Sequence, residues 1–236
     1  MKALAKYLIC LLLLTMATGM NAEDKIRVSI LGDSYSTFEG CVSPKFNEVW
    51  YFKDAKLDMT DLTDASQTWW SLLLEDDRYE LEKNNSYSGS TICTTGYDGA
   101  DFSDRSFISR FHNLGNPDLI LIFGATNDSW ANAPLGEFKW EGWTEEDLKS
   151  FRPALAYLLD NMTSLYPESR FLYIVNDGLK EEVTTSILEA CDRYKVPYLQ
   201  LKDIDKSYGH PNIHGMRQIA DQLKSFLSSS YFSSQR

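Results

Sequence analysis

The sequence predicts an α/β fold: a three-layer αβα sandwich built on a mostly parallel five-stranded sheet, in one domain over residues 23–236. Two observations carry this. Five strand-like runs alternate with helix-like stretches, the pattern of βαβ units. One of those runs, "LILIFG" (119–124), is apolar throughout, as a strand buried on both faces must be. Right-handed crossovers between parallel strands then place helices on both sides of the sheet.

The elements follow in order. Residues 1–22 read as a secretory signal peptide: Lys2 and Lys6 form a basic start, "YLICLLLLTMATGM" an apolar core too short for a membrane span, and small residues lead to Ala22. "IRVSIL" (26–31) is a strand, "QTWWSLLLEDD" (67–77) a short helix and "YELEKNN" (79–85) a weak strand. "SFISRFHNLG" (106–115) reads as a short helix ending at Gly115, and the buried strand 119–124 follows. Thr144, with Asp147 three residues on and Glu145 and Glu146 between them, predicts a capped helix along which Leu148, Phe151, Leu155, Leu158, Leu159 and Met162 recur at helical spacing. "RFLYIV" (170–175) is a strand, 180–195 a helix, "PYLQL" (197–201) the last strand and 215–227 the closing helix.

Composition narrows the function. The chain carries 23 Lys and Arg against 34 Asp and Glu, a net charge of −11, and −13 once Lys2 and Lys6 leave with the signal peptide. Nucleic acid and anionic lipid surfaces are excluded as partners, because both demand a basic footprint. Stable membrane insertion is not expected, and neutral substrates remain open. Cys41, Cys93 and Cys191 survive cleavage. An oxidised Cys41–Cys93 pair, both residues lying just past candidate site loops, stands beside three buried free thiols. No Cys/His spacing resembles a metal site, and no cofactor is expected.

In open parallel sheets, ligands bind beyond the carboxyl ends of the strands. The first strand ends in "GDSYS" (32–36), the weak strand leads to Gly89, the buried strand runs into "GATND" (124–128), and the last leads to "HPNIHG" (210–215). A serine, a glycine, an asparagine and a histidine therefore converge on one edge. Acyl transfer needs a nucleophile, a base and donors for the oxyanion. Ser34 suits the first role and His210 the second; Asn127 with the backbone N–H groups of Ser34 and Gly89 suits the third.

These four blocks, in this order from residue 32 to 220, resemble the SGNH, or GDSL-type, hydrolase family. The resemblance implies a flavodoxin-like αβα fold and ester hydrolysis, with Ser34 as nucleophile, His210 as base, and Ser34, Gly89 and Asn127 as the oxyanion hole. One departure stands out. The family places an aspartate three residues before the histidine, and here that position is Ser207. Asp205, five before His210, is the expected replacement; Asp203 lies closer to the strand, and a backbone carbonyl is the alternative orienting group.

Ser36 and Asp33 are read as supports of the Ser34 turn, and His112 as a surface residue. His214 competes with His210, but only His210 is followed by Pro211 and, five residues on, by Gly215-Met216. Two aromatic stretches, "VWYF" (49–52) and "WANAPLGEFKWEGW" (130–143), follow catalytic blocks. Trp130, Trp140 and Trp143 are read either as anchors of a long loop or as a platform for stacking on sugar rings. The sequence thus predicts an exported, periplasmic or extracellular serine esterase acting on small acyl, chiefly acetyl, esters of a small molecule or polysaccharide. A lipid-directed esterase and a glycan-binding protein that has lost catalysis are the alternatives.

Overall fold

The computed structural model describes residues 25–54 and 59–229; the predicted signal peptide lies outside the described residues. Five strands, β1 (Ile26–Gly32), β2 (Tyr79–Ser86), β3 (Leu119–Phe123), β4 (Arg170–Val175) and β5 (Tyr198–Gln200), form one sheet in the order β2-β1-β3-β4-β5. Every neighbouring pair is parallel. The six α-helices among the described residues are α1 (Trp69–Leu73), α2 (Phe107–Arg110), α3 (Thr126–Trp130), α4 (Phe151–Leu165), α5 (Glu181–Tyr194) and α6 (Ile213–Leu227). This is the predicted α/β sandwich.

The strands alternate between two cores, because successive side chains of a strand point to opposite faces. Ile30 and Leu121 join Trp69, Leu73, Met216 and Leu223 under α1 and α6. Leu31 and Ile122 join Phe107, Leu155, Leu159 and Ile187 under α2, α4 and α5. The edge strand β2 reads weakly because Glu80, Leu81 and Glu82 face solvent. Charges on an exposed edge are also what keeps it from pairing with another chain.

Three local expectations shift. The Thr144–Asp147 cap forms, with Thr144 N–H donating to Asp147 Oδ2 at 2.6 Å and Asp147 N–H returning to Thr144 Oγ1 at 3.3 Å. It closes only a single turn, Asp147–Lys149, and α4 starts afresh at Phe151. The break has a cause: the N–H groups of Phe151 and Arg152 donate to the carbonyls of Pro134 and Leu135 and are lost to a continuous helix. The helices predicted over 67–77 and 106–115 shrink to one turn or little more. Finally, the Cys41–Cys93 bond does not form: all three described cysteines are free thiols. Cys41 packs against one core and Cys93 lies inside the other, on the opposite side of the sheet.

The register places the site. Gly32 pairs with Ser86 on one side and Phe123 on the other, Phe123 pairs with Ile174, and Val175 with Gln200. Five strand ends therefore finish level. The chain order reverses between β1 and β3, the crevice where doubly wound sheets bind ligands.

Candidate active site

The nucleophile candidate is presented by a short turn. Ser34 opens the single turn Ser34–Ser36, capped by Asp33, whose Oδ1 accepts the Tyr35 N–H at 3.1 Å. Thr37 Oγ1 donates to the Ser34 carbonyl at 2.8 Å and tightens the turn. Gly32 is required immediately before it. A Cβ there would sit 2.5 Å from Ser86 Oγ and 2.7 Å from Ser36 Oγ. Burial pushes the Asp33 carboxyl up to about 7. Asp33 therefore supports the turn from within rather than serving as a solvated acid.

His210 meets Ser34 across the edge, with Nε2 3.0 Å from Ser34 Oγ. Its Nδ1 lies 3.1 Å from the Tyr208 carbonyl. A carbonyl only accepts, so Nδ1 carries the proton and Nε2 keeps its lone pair toward the serine, the tautomer a general base needs. The histidine loop is held from several sides. Ser207 pairs with His210 in a two-residue ribbon, β6 (Lys206–Ser207) against β7 (His210–Pro211). The hydroxyls of Tyr35 and Tyr51 donate to the carbonyls of Gly209 and Pro211, at 2.5 and 2.8 Å. Asp177 accepts the Ile204 N–H at 2.9 Å and pairs with Lys206. Burial lowers the His210 pKa to about 4, opposed by the Tyr208 carbonyl and reinforced by the charge of Lys206.

The structure does not bring Asp205 to His210. Its carboxylate accepts from His214 Nδ1 at 2.6 Å, on the solvent side of α6. The backbone explains why. Asp205 N–H donates to Gln218 and its carbonyl accepts from Asn212 N–H, seating the residue against the start of α6. Gly215 leaves the room for this, since a Cβ there would lie 2.0 Å from the Asp205 carbonyl oxygen. Asp205 is thus turned toward α6, while Ser207 takes the place across the ribbon from His210.

Asn127 sits at the start of α3, just past the end of β3. Its Nδ2 donates to the Ser90 carbonyl at 2.9 Å, and its Oδ1 accepts the Tyr97 hydroxyl at 2.8 Å. Both bonds fix the amide the same way round, and the second Nδ2 hydrogen remains for an oxyanion. Gly89 adopts φ +79°, a left-handed conformation that favours glycine. Asp128 ties its loop to α3, accepting N–H groups of Ile92 and Cys93 at 2.8 and 3.3 Å. Arg110, 7% exposed, clamps the nucleophile and oxyanion loops together from below. Its guanidinium donates to the Gly32 carbonyl at 3.2 Å, to Ser90 Oγ at 3.0 Å, and to the carbonyls of Asn85 and Arg105.

Aromatic side chains surround this edge. Trp50 lies face to face with His210, centroids 3.7 Å apart and planes within 5°. Trp130 meets His210 edge-on at 5.5 Å and is 40% exposed. Trp140 and Trp143 are elsewhere. Trp140 stacks on Phe138 at 4.4 Å beneath Arg193, and Trp143 donates Nε1–H to the Lys139 carbonyl and meets Tyr157 of α4. Trp140 directly, and Trp143 through Tyr157, anchor the long loop against the opposite core. Sequence reasoning missed Tyr97, Arg110, Tyr208 and the hydroxyls of Tyr35 and Tyr51; it noticed the "VWYF" stretch without assigning Trp50. A concavity of about 540 Å³ opens at the other end of the sheet, beside Ile26, Leu119 and Arg170, away from this chemistry.

Comparison with known proteins agrees with this geometry. The family model for GDSL-like lipase/acylhydrolase matches residues 26–227. A search of curated proteins finds no match. Among solved structures, proteins described as GDSL-like lipases from Bacteroides ovatus and Bacteroides uniformis are 52% and 51% identical, both with a TM-score of 0.85. Each alignment covers 87% of this chain, and 99% and 97% of theirs. A family two carbohydrate esterase from Clostridium thermocellum, in complex with cellohexaose, shares the fold at 16% identity and a TM-score of 0.55, over 88% of this chain and 66% of that one. With four blocks at level strand ends and a family match over nearly all the described residues, this chain is an ester hydrolase and belongs to the GDSL-like lipase/acylhydrolase family.

Proposed function

We propose that the protein is an exported serine esterase that removes small acyl groups, chiefly acetyl, from carbohydrates through an acyl-enzyme on Ser34. The observation that carries the catalytic part is the 3.0 Å contact between Ser34 Oγ and His210 Nε2, with Nδ1 held by a carbonyl. Ser34 Oγ attacks the ester carbonyl carbon as its proton passes to His210 Nε2, and the carbonyl electron pair moves onto oxygen. That oxyanion is met by the N–H groups of Ser34 and Gly89 and by Asn127 Nδ2. Collapse breaks the bond to the alcohol, which leaves with the proton from His210. Water, deprotonated in turn by His210, releases the acid and restores Ser34.

The substrate class rests on the rim. Trp130, Tyr97 and Tyr208 are 40, 38 and 69% exposed, and each touches a residue of the site or stands two positions from His210. Flat, half-exposed rings suit a sugar face better than a flexible acyl chain does. The cellohexaose-bound neighbour has the same fold. Of the predicted platform, only Trp130 contributes to this reading. Export rests on the sequence of residues 1–22.

The test is a panel of O-acetylated oligosaccharides alongside simple esters of increasing acyl length, with the acid released measured directly. We expect acetyl esters to be preferred, the oligosaccharides to outrun the simple esters, and Trp130→Ala to hurt the oligosaccharides more. Faster turnover of long-chain esters would replace the carbohydrate reading with a lipid-directed one.

A further inference from the structure

We infer that Trp50 does for His210 what the missing carboxylate does elsewhere: its indole face steadies the imidazole and stabilises the imidazolium formed when Ser34 attacks. The inference rests on the serine-esterase reading above and adds a positioning residue to it.

The reaction creates the need. As the Ser34 O–H bond breaks and the Oγ–carbon bond forms, the proton lands on Nε2 and the ring becomes a cation. That cation is formed in a poor place. His210 is 6% exposed. Its other nitrogen faces a neutral carbonyl, and Asp205 is engaged by His214. The charge of Lys206 acts on the ring with the same sign, and burial already disfavours protonation.

The Trp50–His210 stack has the shape that would relieve this. Neutral aromatic pairs favour offset or edge-on arrangements at 4.5–7 Å over a face-to-face sandwich. Here the rings are parallel within 5° at 3.7 Å. That geometry suits a cation lying over the negative face of an indole, the strongest such partner among the side chains. Nor is the ring there for its polar end, since Nε1 is buried with no hydrogen-bond partner. Its backbone is instead tied to the nucleophile: Trp50 N–H donates to Thr37 Oγ1 at 2.9 Å, and Thr37 Oγ1 donates to the Ser34 carbonyl. Tyr35, Tyr51 and Trp130 complete a box of rings with centroids 5.3, 6.4 and 5.5 Å from the imidazole. An attraction that grows only when the ring is charged stabilises the transition state over the ground state, so it appears in kcat.

The experiment keeps shape and changes only the electrons of the ring. Tryptophan carrying one to four fluorines is placed at position 50 of the full chain, and hydrolysis of p-nitrophenyl acetate is followed together with the NMR titration of His210. Each fluorine weakens the negative face without altering the packing. We expect kcat to fall stepwise, by roughly 2- to 30-fold across the series, with KM unchanged. The His210 pKa should fall in parallel. A flat kcat and an unmoved His210 titration would overturn the inference and leave Trp50 a spacer. The titration needs no turnover, so failure of the esterase reading has its own sign: wild-type hydrolysis that survives Ser34→Ala.

Discussion

Two histidines four residues apart divide the attributes of a catalytic base between them. His214 has the carboxylate: Asp205 Oδ2 lies 2.6 Å from its Nδ1, the arrangement usually sought beside a serine nucleophile. The pair stands in solvent, 67 and 53% exposed, where an ion pair contributes little. His210 has no carboxylate, only the Tyr208 carbonyl, yet it is buried and within reach of Ser34. Location and tautomer, rather than the partner's charge, single out His210 as the candidate base. A carbonyl fixes the tautomer as well as a carboxylate does; what it cannot supply is countercharge.

The comparison breaks most visibly by deletion. Ser34→Ala and His210→Ala should each lower kcat by about 10⁴-fold or more, as removal of a nucleophile or its base does elsewhere. His214→Ala should stay within about twofold of wild type. Circular dichroism establishes that all three fold, and steady-state rates on an acetyl ester give the ratio. An inactive His214→Ala with an active His210→Ala would exchange the two roles.

A change of pH sharpens the contrast without mutation. The base must be neutral to accept a proton, and burial holds His210 near 4. A base left at 6.5 would lose about 25-fold in kcat/KM between pH 7 and pH 5. This enzyme should lose less than twofold there and fall steeply only below about pH 4. The same burial links folding to pH. The neutral native imidazole contributes stability in full above 6.5, and that contribution is lost as pH falls toward 4. Asp33 and Asp128, pushed by burial up to about 7 and 6, act with the opposite sign. Their contribution is full below about 3.8 and is lost as pH rises through those values. Between pH 4 and 6.5 the two trends oppose, and two carboxyls outweigh one imidazole, so Tm should fall as pH rises there. A Tm that instead rises with pH across this window would mean His210 alone governs.

How much of this was legible follows from how far each interaction reaches. The strands were readable because a parallel sheet demands continuous apolar runs, and 119–124 is one. Ser34, Gly89 and Asn127 were placeable because each sits a few residues past a strand end, and His210 because its loop leaves one, and parallel register brings those ends level. Helix ends were misjudged because they are set by other segments, as Pro134 and Leu135 set the start of α4. The clamps on the site were invisible for the same reason. Tyr97 reaches Asn127 across 30 residues, and Tyr51 reaches Pro211 across 160. Trp140 and Trp143 lay in a stretch without periodicity, where sequence gives no sign of which core a ring will join.

Asp205 is the subtlest case and sets the smallest effect. Counting along the chain placed it near enough to swing onto His210. The ribbon defeats the count: Ser207 and His210 face each other across a two-residue turn, and residue 205 lies outside it, bound through its backbone to Gln218 and Asn212. Its charge could still act at a distance, but half-exposed and already paired it is screened by solvent. Asp205→Asn should therefore leave kcat within about twofold of wild type. The asparagine keeps a hydrogen bond to His214 and removes only the charge, so folding is not at issue. Rates measured at low and high salt separate the remaining possibilities. A modest loss that vanishes at high salt would be long-range electrostatics, whereas a loss of 10²-fold or more at both would mean that the loop rearranges and Asp205 reaches His210 in the working enzyme.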